Sequence, residues 1–407
     1  MDIKFINGSV TLPKGFKASG VCCGIKSTNK TKNDLGLIYC DVLCNSAAIF
    51  TQNAVKASPI LVTKKHLENG YAQAIIANSG NANACNKDGI IKANKMCDLI
   101  SEKLNIPSED VIVASTGVIG QSLPIEPIEN NIKSLVSKLS KDGSSEVASA
   151  ILTTDTIKKE VAVKCEIDGK EVTIGGIAKG SGMIHINMAT MLCFITTDAK
   201  ISSEMLKEVL TDVADDTFNM ISVDGDTSTN DTLAIMASGM ACNKEIVEKD
   251  ENYKIFANAL KELLIKMCKL IAGDGEGATK LLVVDVKNAK TKKDAKMVAK
   301  SVVCSSLVKS AMFGADANWG RVLCAVGYSQ ADIDINKVDI DFTTVKGVIE
   351  VCKDGYGIEF SEYQAKEVLN QRNITINIDL KDGNKNATAY GCDLTYEYVR
   401  INGEYRT

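Results

Sequence analysis

The chain predicts a mixed α/β protein, because two kinds of apolar periodicity alternate along it. Apolar residues recur at helical spacing at Ile90, Ala93, Cys97, Ile100 and Leu104, then at Ile132, Leu135, Val136 and Leu139. The same spacing returns at Leu206, Val209, Leu210 and Val213, and through Phe256, Leu260, Leu263, Leu264 and Met267. Strict alternation marks strands at Val338, Ile340 and Phe342, and at Ile374, Ile376, Ile378 and Leu380. The apolar runs Ala72 to Ala77 and Leu281 to Val286 read as interior strands. At 407 residues the chain can bury a large core in two or three subdomains. It has no internal repeat, no low-complexity tract and, with five prolines, no evident linker. Periodicity does not specify how the sheets connect.

Composition narrows the function by exclusion. A hydrophobic content of 45%, 24% charged residues and a formal net charge of −4 give neither a basic nucleic-acid surface nor an acidic tail. No apolar run approaches the eighteen or so residues of a membrane span. The first residues lack the charged-then-apolar pattern of a signal peptide, so a cytoplasmic location is expected. The fourteen cysteines are scattered, Cys22/Cys23 and Cys40/Cys44 are not in C-x-x-C spacing, and only His66 and His185 could assist them. Small buried hydrophobes are the expected role of these cysteines, and no metal site is expected.

Six polar, glycine-rich loops are the places to build a site. They are Asn78–Cys85, Ser115–Gly120, Leu152–Thr156, Ser222–Asp231, Gly273–Lys280 and Phe313–Arg321. Gly273–Lys280 fails the spacing of a P-loop, and no G-x-G-x-x-G follows a strand, so nucleotide fingerprints are lacking. The run from Asp224 begins like a calcium loop, but its sixth and twelfth positions are Thr229 and Ile235, which rejects calcium. Side-chain to backbone hydrogen bonds that organise the loop are the expected role of its aspartates.

The most informative stretch runs from Lys179 to Asp198. A glycine-rich loop passes through small residues into Met191–Ile195, which reads as a buried strand. Thr190 stands where loop becomes strand, with the small Ala189 before it, and can present its hydroxyl to the adjacent carbonyl. A threonine whose own amine serves as base needs no histidine.

These motifs resemble the ornithine acetyltransferase family of arginine biosynthesis, which includes bifunctional glutamate N-acetyltransferases. The resemblance rests on Asn-Ser-Gly-Asn-Ala-Asn-Ala, Lys-Gly-Ser-Gly-Met-Ile-His-x-Asn-Met-Ala-Thr-Met-Leu, Val-Asp-Gly-Asp-Thr-Ser-Thr-Asn-Asp and Asn-Trp-Gly-Arg, in that order, within a match from about Gly15 to Thr407. One departure is Ile186, where the family usually has proline after the histidine.

The resemblance implies layered mixed sheets with flanking helices, of an N-terminal-nucleophile type. It also implies a precursor that cuts itself between Ala189 and Thr190, giving fragments 1–189 and 190–407. Thr190 would then carry a free α-amine, of pKa about 8 against roughly 10.4 for lysine, beside its own hydroxyl. Acetyl would pass from N-acetylornithine to Thr190 and then to glutamate. The family's oxyanion donors fall on Thr116 and Gly117, and its substrate contacts on Thr153, Lys179, Thr190, Glu276, Asn402 and Thr407. No cofactor is implied, although acetyl-CoA is a conceivable second donor. The partners implied are small amino-acid substrates, with no nucleic acid or membrane, in an assembly of two copies of each fragment. A structural role is expected for His185, and a core or subunit contact for Trp319. Two other readings stand beside this one: an N-terminal-nucleophile amidohydrolase or aminopeptidase with water as acceptor, and a non-catalytic relative.

Overall fold

The computed structural model describes residues 3–26, 29, 31–185 and 191–404. The first strands are β1 (Lys4–Ile6), β2 (Phe16–Val21), β3 (Leu35–Phe50), β4 (Tyr71–Asn78) and β5 (Val111–Ser115). The hairpin β6 (Lys159–Ile167) and β7 (Lys170–Lys179) follows, then β8 (Ile184–His185), β9 (Leu192–Thr197), β10 (Ile221–Thr227) and β11 (Thr232–Ala237). The last are β12 (Leu281–Ala289), β13 (Asp339–Thr344), β14 (Gly347–Lys353), β15 (Tyr356–Gly357), β16 (Asn373–Asp379) and β17 (Lys385–Cys392).

Two mixed sheets result. The first runs β1-β6-β7-β9-β11-β3-β4-β5, with β2 also paired to β3. The second runs β15-β14-β13-β16-β12-β17-β10-β8.

Between them the chain forms α1 (Ser58–His66), α2 (Gly89–Leu104), α3 (Glu126–Ser137), α4 (Ser144–Ala150), α5 (Ser203–Asp216) and α6 (Glu251–Gly273). Towards the end come α7 (Lys292–Cys304), α8 (Ser306–Phe313), α9 (Trp319–Gly327), α10 (Glu362–Leu369) and α11 (Tyr396–Glu404). The helices expected from periodicity appear as α2, α3, α5 and α6, and the expected strands as β4, β12, β13 and β16. Asp250 starts the long α6 by accepting from Tyr253 N at 2.9 Å, which satisfies one of the helix's unpaired donors.

Packing follows from the alternation of the strands. α5 and α6 share one core with Ile174, Cys193 and Ile195 of the first sheet and with Ile221, Val223, Tyr390 and Cys392 of the second. In β12 the residues Leu282, Val284 and Val286 turn instead to a separate core with Ala295, Val298 and Val302 of α7. α2 and α3 cover Ala74, Ile76, Val111 and Val113 at the β4–β5 edge. The α/β class with layered mixed sheets and flanking helices is therefore the observed architecture.

The expected strand after Thr190 is β9, which lies between β7 and β11, every residue of it buried. β8 belongs to the second sheet and β9 to the first. Each sheet thus contains strands from both sides of the Ala189–Thr190 junction. A break there would leave two pieces joined through sheet hydrogen bonds and a common core, with no covalent link needed.

Some features were not anticipated. The β6–β7 hairpin turns at Asp168-Gly169, both at positive φ (53° and 67°), a dipeptide that signals such a hairpin in any sequence. The cysteine expectation needs correction in part. Eight cysteines are buried, but Cys85, Cys242 and Cys324 are exposed. Cys85 and Cys242 sit in irregular loop segments at φ 58° and 60°, where side chains face solvent more often than core. Trp319 packs, half-buried, on the second sheet's core, and no helix among the described residues is long and apolar enough to cross a membrane.

Candidate active site

Thr116 and Gly117 leave the end of β5 beside the Asn78–Cys85 loop. Thr116 N donates to Asn78 O at 2.9 Å, Ser115 Oγ to Asn78 Oδ1 at 2.6 Å, and Asn78 Nδ2 to Asn81 O at 2.9 Å. Asn230 braces the same turn from another segment, its Nδ2 donating to Ala82 O at 2.6 Å and Ser115 O at 2.8 Å. Gly117 has φ +129°, and a Cβ there would stand 2.4 Å from Gly80 C and 2.6 Å from Asn81 N. Both neighbours are backbone, so no side chain can be accommodated.

Lys179 is the last residue of β7 and nearly buried; its Nζ stands 3.3 Å from Thr116 Oγ1. Glu276 follows the turn after α6, its N donating to Ser181 O at 3.0 Å. Asn402 Nδ2, on α11, donates to Glu276 Oε2 at 2.8 Å. A Cβ on Gly182 would meet Glu276 Oε2 at 2.3 Å, so this loop and the carboxylate lie in direct contact.

Beneath these groups lies an ion network that sequence reading missed. Lys159 is fully buried, with Nζ 2.6 Å from Asp155 Oδ1 and 2.6 Å from Asp274 Oδ2. Asp155 also accepts from Gly180 N at 2.7 Å and, through Oδ2, from Thr153 N at 3.2 Å. Asp274 accepts from Thr156 N at 3.1 Å and from the Thr156 hydroxyl, while Ser181 Oγ donates to Asp274 O at 2.7 Å. Burial alone would raise the Asp155 pKa, but the charges of Lys159 and Lys179 with the Lys159 and Gly180 hydrogen bonds outweigh it and hold it low. One buried network thereby fixes the Thr153 loop, the Gly180–Ser181 turn and the Asp274–Glu276 turn. Its signal was the polar loop Leu152–Thr156, whose aspartate had no assigned task.

A cleft with a cavity volume of about 100 Å³ opens where these segments meet. Thr116, Gly117, Thr153, Lys179, Glu276 and Asn402 all line it, as does Met191. Six of the residues nominated from sequence, drawn from five separate segments, are therefore brought together. Ala189, Thr190 and Thr407 lie outside the described residues.

The histidines stand apart from this cleft. His185 Nδ1 is 3.1 Å from Ser222 Oγ and 3.6 Å from Cys304 Sγ, on the second sheet. Burial, with the nearby Lys300 charge, lowers its pKa to about 4, so it is neutral at pH 7 and holds a structural place. Asp224 accepts from Met183 N (2.7 Å), Ile184 N (2.9 Å) and Asp226 N (3.2 Å), the loop-organising role expected of that run. Its carboxylate is thus committed to backbone donors. Arg321, away from the cleft, donates to Leu307 O at 3.0 Å.

With this geometry in place, the likeness to known proteins is specific. The model of the ArgJ family matches residues 17–407. The arginine biosynthesis bifunctional protein ArgJ of Caldanaerobacter subterraneus subsp. tengcongensis is 51% identical over 406 residues, covering all of both chains. Arginine biosynthesis bifunctional protein ArgJ 1 of Clostridium acetobutylicum is 49% identical over 407 residues, 100% of this chain and 99% of its own. A crystal structure of arginine biosynthesis bifunctional protein ArgJ from Bacillus halodurans is 44% identical with a TM-score of 0.50. The match covers 52% of this chain and 98% of that one.

Proposed function

The chain belongs to the ArgJ family, and from that membership we propose that it is a glutamate N-acetyltransferase of arginine biosynthesis working through an acetyl-threonine on Thr190. The observation that carries the residue assignments is the convergence of Thr116, Gly117, Thr153, Lys179, Glu276 and Asn402 on one cleft with Met191, the residue bonded to Thr190.

Maturation begins when the Thr190 hydroxyl attacks the Ala189 carbonyl. The acyl group moves from nitrogen to oxygen, water cleaves the ester, and Thr190 is left with a free α-amine. Near pH 7.5 a useful fraction of that amine is neutral and can take the hydroxyl proton. Thr190 Oγ then attacks the acetyl carbon of N2-acetyl-ornithine, ornithine leaves, and the α-amine of glutamate attacks the acetyl-threonine. Both steps pass through an oxyanion that the Thr116 hydroxyl and the Gly117 N–H serve. Lys179 supplies a cation for the substrate's carboxylate, and Glu276, oriented by Asn402, an anion for an ammonium group. Thr153 and Thr407 complete the proposed substrate contacts.

Acetyl-CoA serves in this reading as a second acetyl donor rather than a resident cofactor, which suits the bifunctional name borne by the relatives. The enzyme works in the cytoplasm as two copies of each fragment, without nucleic acid or membrane partners. A relative's chain that matches over 98% of its length yet accounts for 52% of this one is what a precursor divided into two polypeptides would give.

The denatured mass of the untagged protein, with N-terminal sequencing, tests this directly. The expected result is two fragments, the second beginning Thr-Met-Leu-Cys, and acetyl transfer from N2-acetyl-ornithine to glutamate. Release of free acetate with no acetylglutamate would instead indicate a hydrolase. Gly117→Ala should lower kcat on the order of 10²-fold, because the added Cβ meets the Gly80 and Asn81 backbone and displaces the oxyanion turn. Steady-state kinetics beside a thermal melt checks this.

A further inference from the structure

Asp231 lines the cleft but has no part in the acetyl transfer outlined above. It is 1% exposed, and its Oδ2 has no hydrogen-bond partner among the described residues. Nor does it form an ion pair there: Lys179, whose charge reaches it, bonds the Thr116 hydroxyl instead. Its backbone is pinned, since Asp231 O accepts from Thr51 N at 3.1 Å and the preceding Asn230 is locked to Ala82 and Ser115. Leaving a buried acceptor unpaired costs about 1–3 kcal/mol, and more if it is ionised.

The sheet register shows where that oxygen stands. β11 and β9 run parallel with Thr232 opposite Leu192, and Thr232 N donates to Met191 O at 2.8 Å. Asp231 is thus beside Met191, about one interstrand spacing away. Met191 is joined to Thr190 by a peptide bond, so covalent geometry keeps the Thr190 nitrogen within about 5 Å of the Met191 Cα. Self-cleavage therefore frees an amine one residue along the chain from the position beside Asp231.

We propose that Asp231 is the positioning residue for the α-amine that self-cleavage frees on Thr190, its orphan oxygen accepting one N–H of that amine. The inference rests on the reading of Thr190 as the nucleophile. With one N–H held, the amine's lone pair is directed and can face the threonine hydroxyl. As Oγ bonds the acetyl carbon, the hydroxyl proton passes to the amine, which becomes an ammonium opposite the Asp231 carboxylate. When the tetrahedral intermediate collapses, the bond to the ornithine nitrogen breaks and the ammonium returns its proton to that nitrogen. Asp231 does for the amine what the triad aspartate does for histidine. In the uncut chain nitrogen 190 is an amide with no charge to gain. Burial then raises the Asp231 pKa well above the usual carboxylate range, against the Ser228 and Thr51 hydroxyls and the Lys179 charge. The charged groups lining the cleft with Asp231 are Lys179 at the end of β7 and Glu276 ahead of β12.

The test starts from mature enzyme verified by mass to begin at Thr190, so a failure of the nucleophile assignment is seen separately and first. Asp231→Asn should lower kcat/KM for acetyl transfer by about 10²-fold or more. Without the carboxylate the ammonium is less stable and the amine's pKa falls. The acid limb of the kcat/KM profile should therefore move to lower pH, and Asp231→Glu should move it back. An unmoved limb overturns the proposal, whether activity is unchanged or KM for N2-acetyl-ornithine alone has risen; the latter assigns Asp231 to a substrate ammonium. Should Asp231→Asn fail to mature, thermal melts in the uncut Thr190→Ala background decide. There the asparagine should leave Tm unchanged or raise it, and a fall of several degrees assigns Asp231 a structural role and overturns the proposal.

Discussion

Thr190→Ala should leave a single 407-residue chain and reduce acetyl transfer on the order of 10⁶-fold, the scale seen when a nucleophile that works with its own base is removed. In the proposed mechanism one substitution removes three things: the hydroxyl that attacks the Ala189 carbonyl, the cleavage that releases the amine, and the oxygen that carries acetyl. The fold should not suffer. β9 begins at Leu192, and its residues are buried between β7 and β11. Thermal melts of parent and variant should therefore be similar, while denatured mass shows two species for the parent and one for the variant. Thr190→Ser retains hydroxyl and amine, and should both cut and transfer at a reduced rate. Two fragments from Thr190→Ala would mean that another group cleaves the chain, and the acetyl-threonine mechanism would then lose its premise.

Lys159→Met should destabilise the protein by about 3–5 kcal/mol, the usual result of removing one partner from a buried ion network. The ammonium stands 2.6 Å from both Asp155 and Asp274, with all three side chains at 5% exposure or less. Methionine fills the volume but leaves two carboxyls facing each other without water. Urea unfolding measures the loss, and an unchanged midpoint would refute the network's role.

The acid dependence gives a second readout. Asp155 is held below its ordinary pKa, so its contribution is present above the unfolded value of about 3.9 and is lost as pH falls through the lower folded value. In Lys159→Met burial prevails and Asp155 rises, so that the variant should be more stable, relative to parent, in acid than at pH 7. Activity should fall too, since this network ties down Thr153, Gly180 and the approach to Glu276.

Much of the fold was legible because local rules suffice for it. The 3.6-residue spacing in α2, α5 and α6 and the alternation in β13 and β16 follow from each element burying one face. Met191–Ile195 was legible as an interior strand because an apolar run so close to small residues has nowhere else to go. The site's loops were legible by composition: Asn78–Cys85, Ser115–Gly120 and Gly273–Lys280 carry residues that serve turns and backbone approach. The Asp168-Gly169 hairpin carries its signal in the dipeptide itself. Lys159 carried none, since a lysine next to Lys158 reads as a solvated surface pair.

By itself the sequence determined the local chemistry: a hydroxyl on Thr190, a glycine at 117, and strands and helices whose periods set their buried faces. Those properties depend on bonded neighbours and on spacing of a few residues. The tertiary structure decided which distant segments share the cleft, and which charges there are compensated. Lys159 meets Asp274 across 115 residues, and Asn402 meets Glu276 across 126. Burial and electric field are sums over everything packed around a group. Whether Lys159 is paired or Asp231 is left with an unfilled acceptor therefore becomes defined only when the sheets close around them.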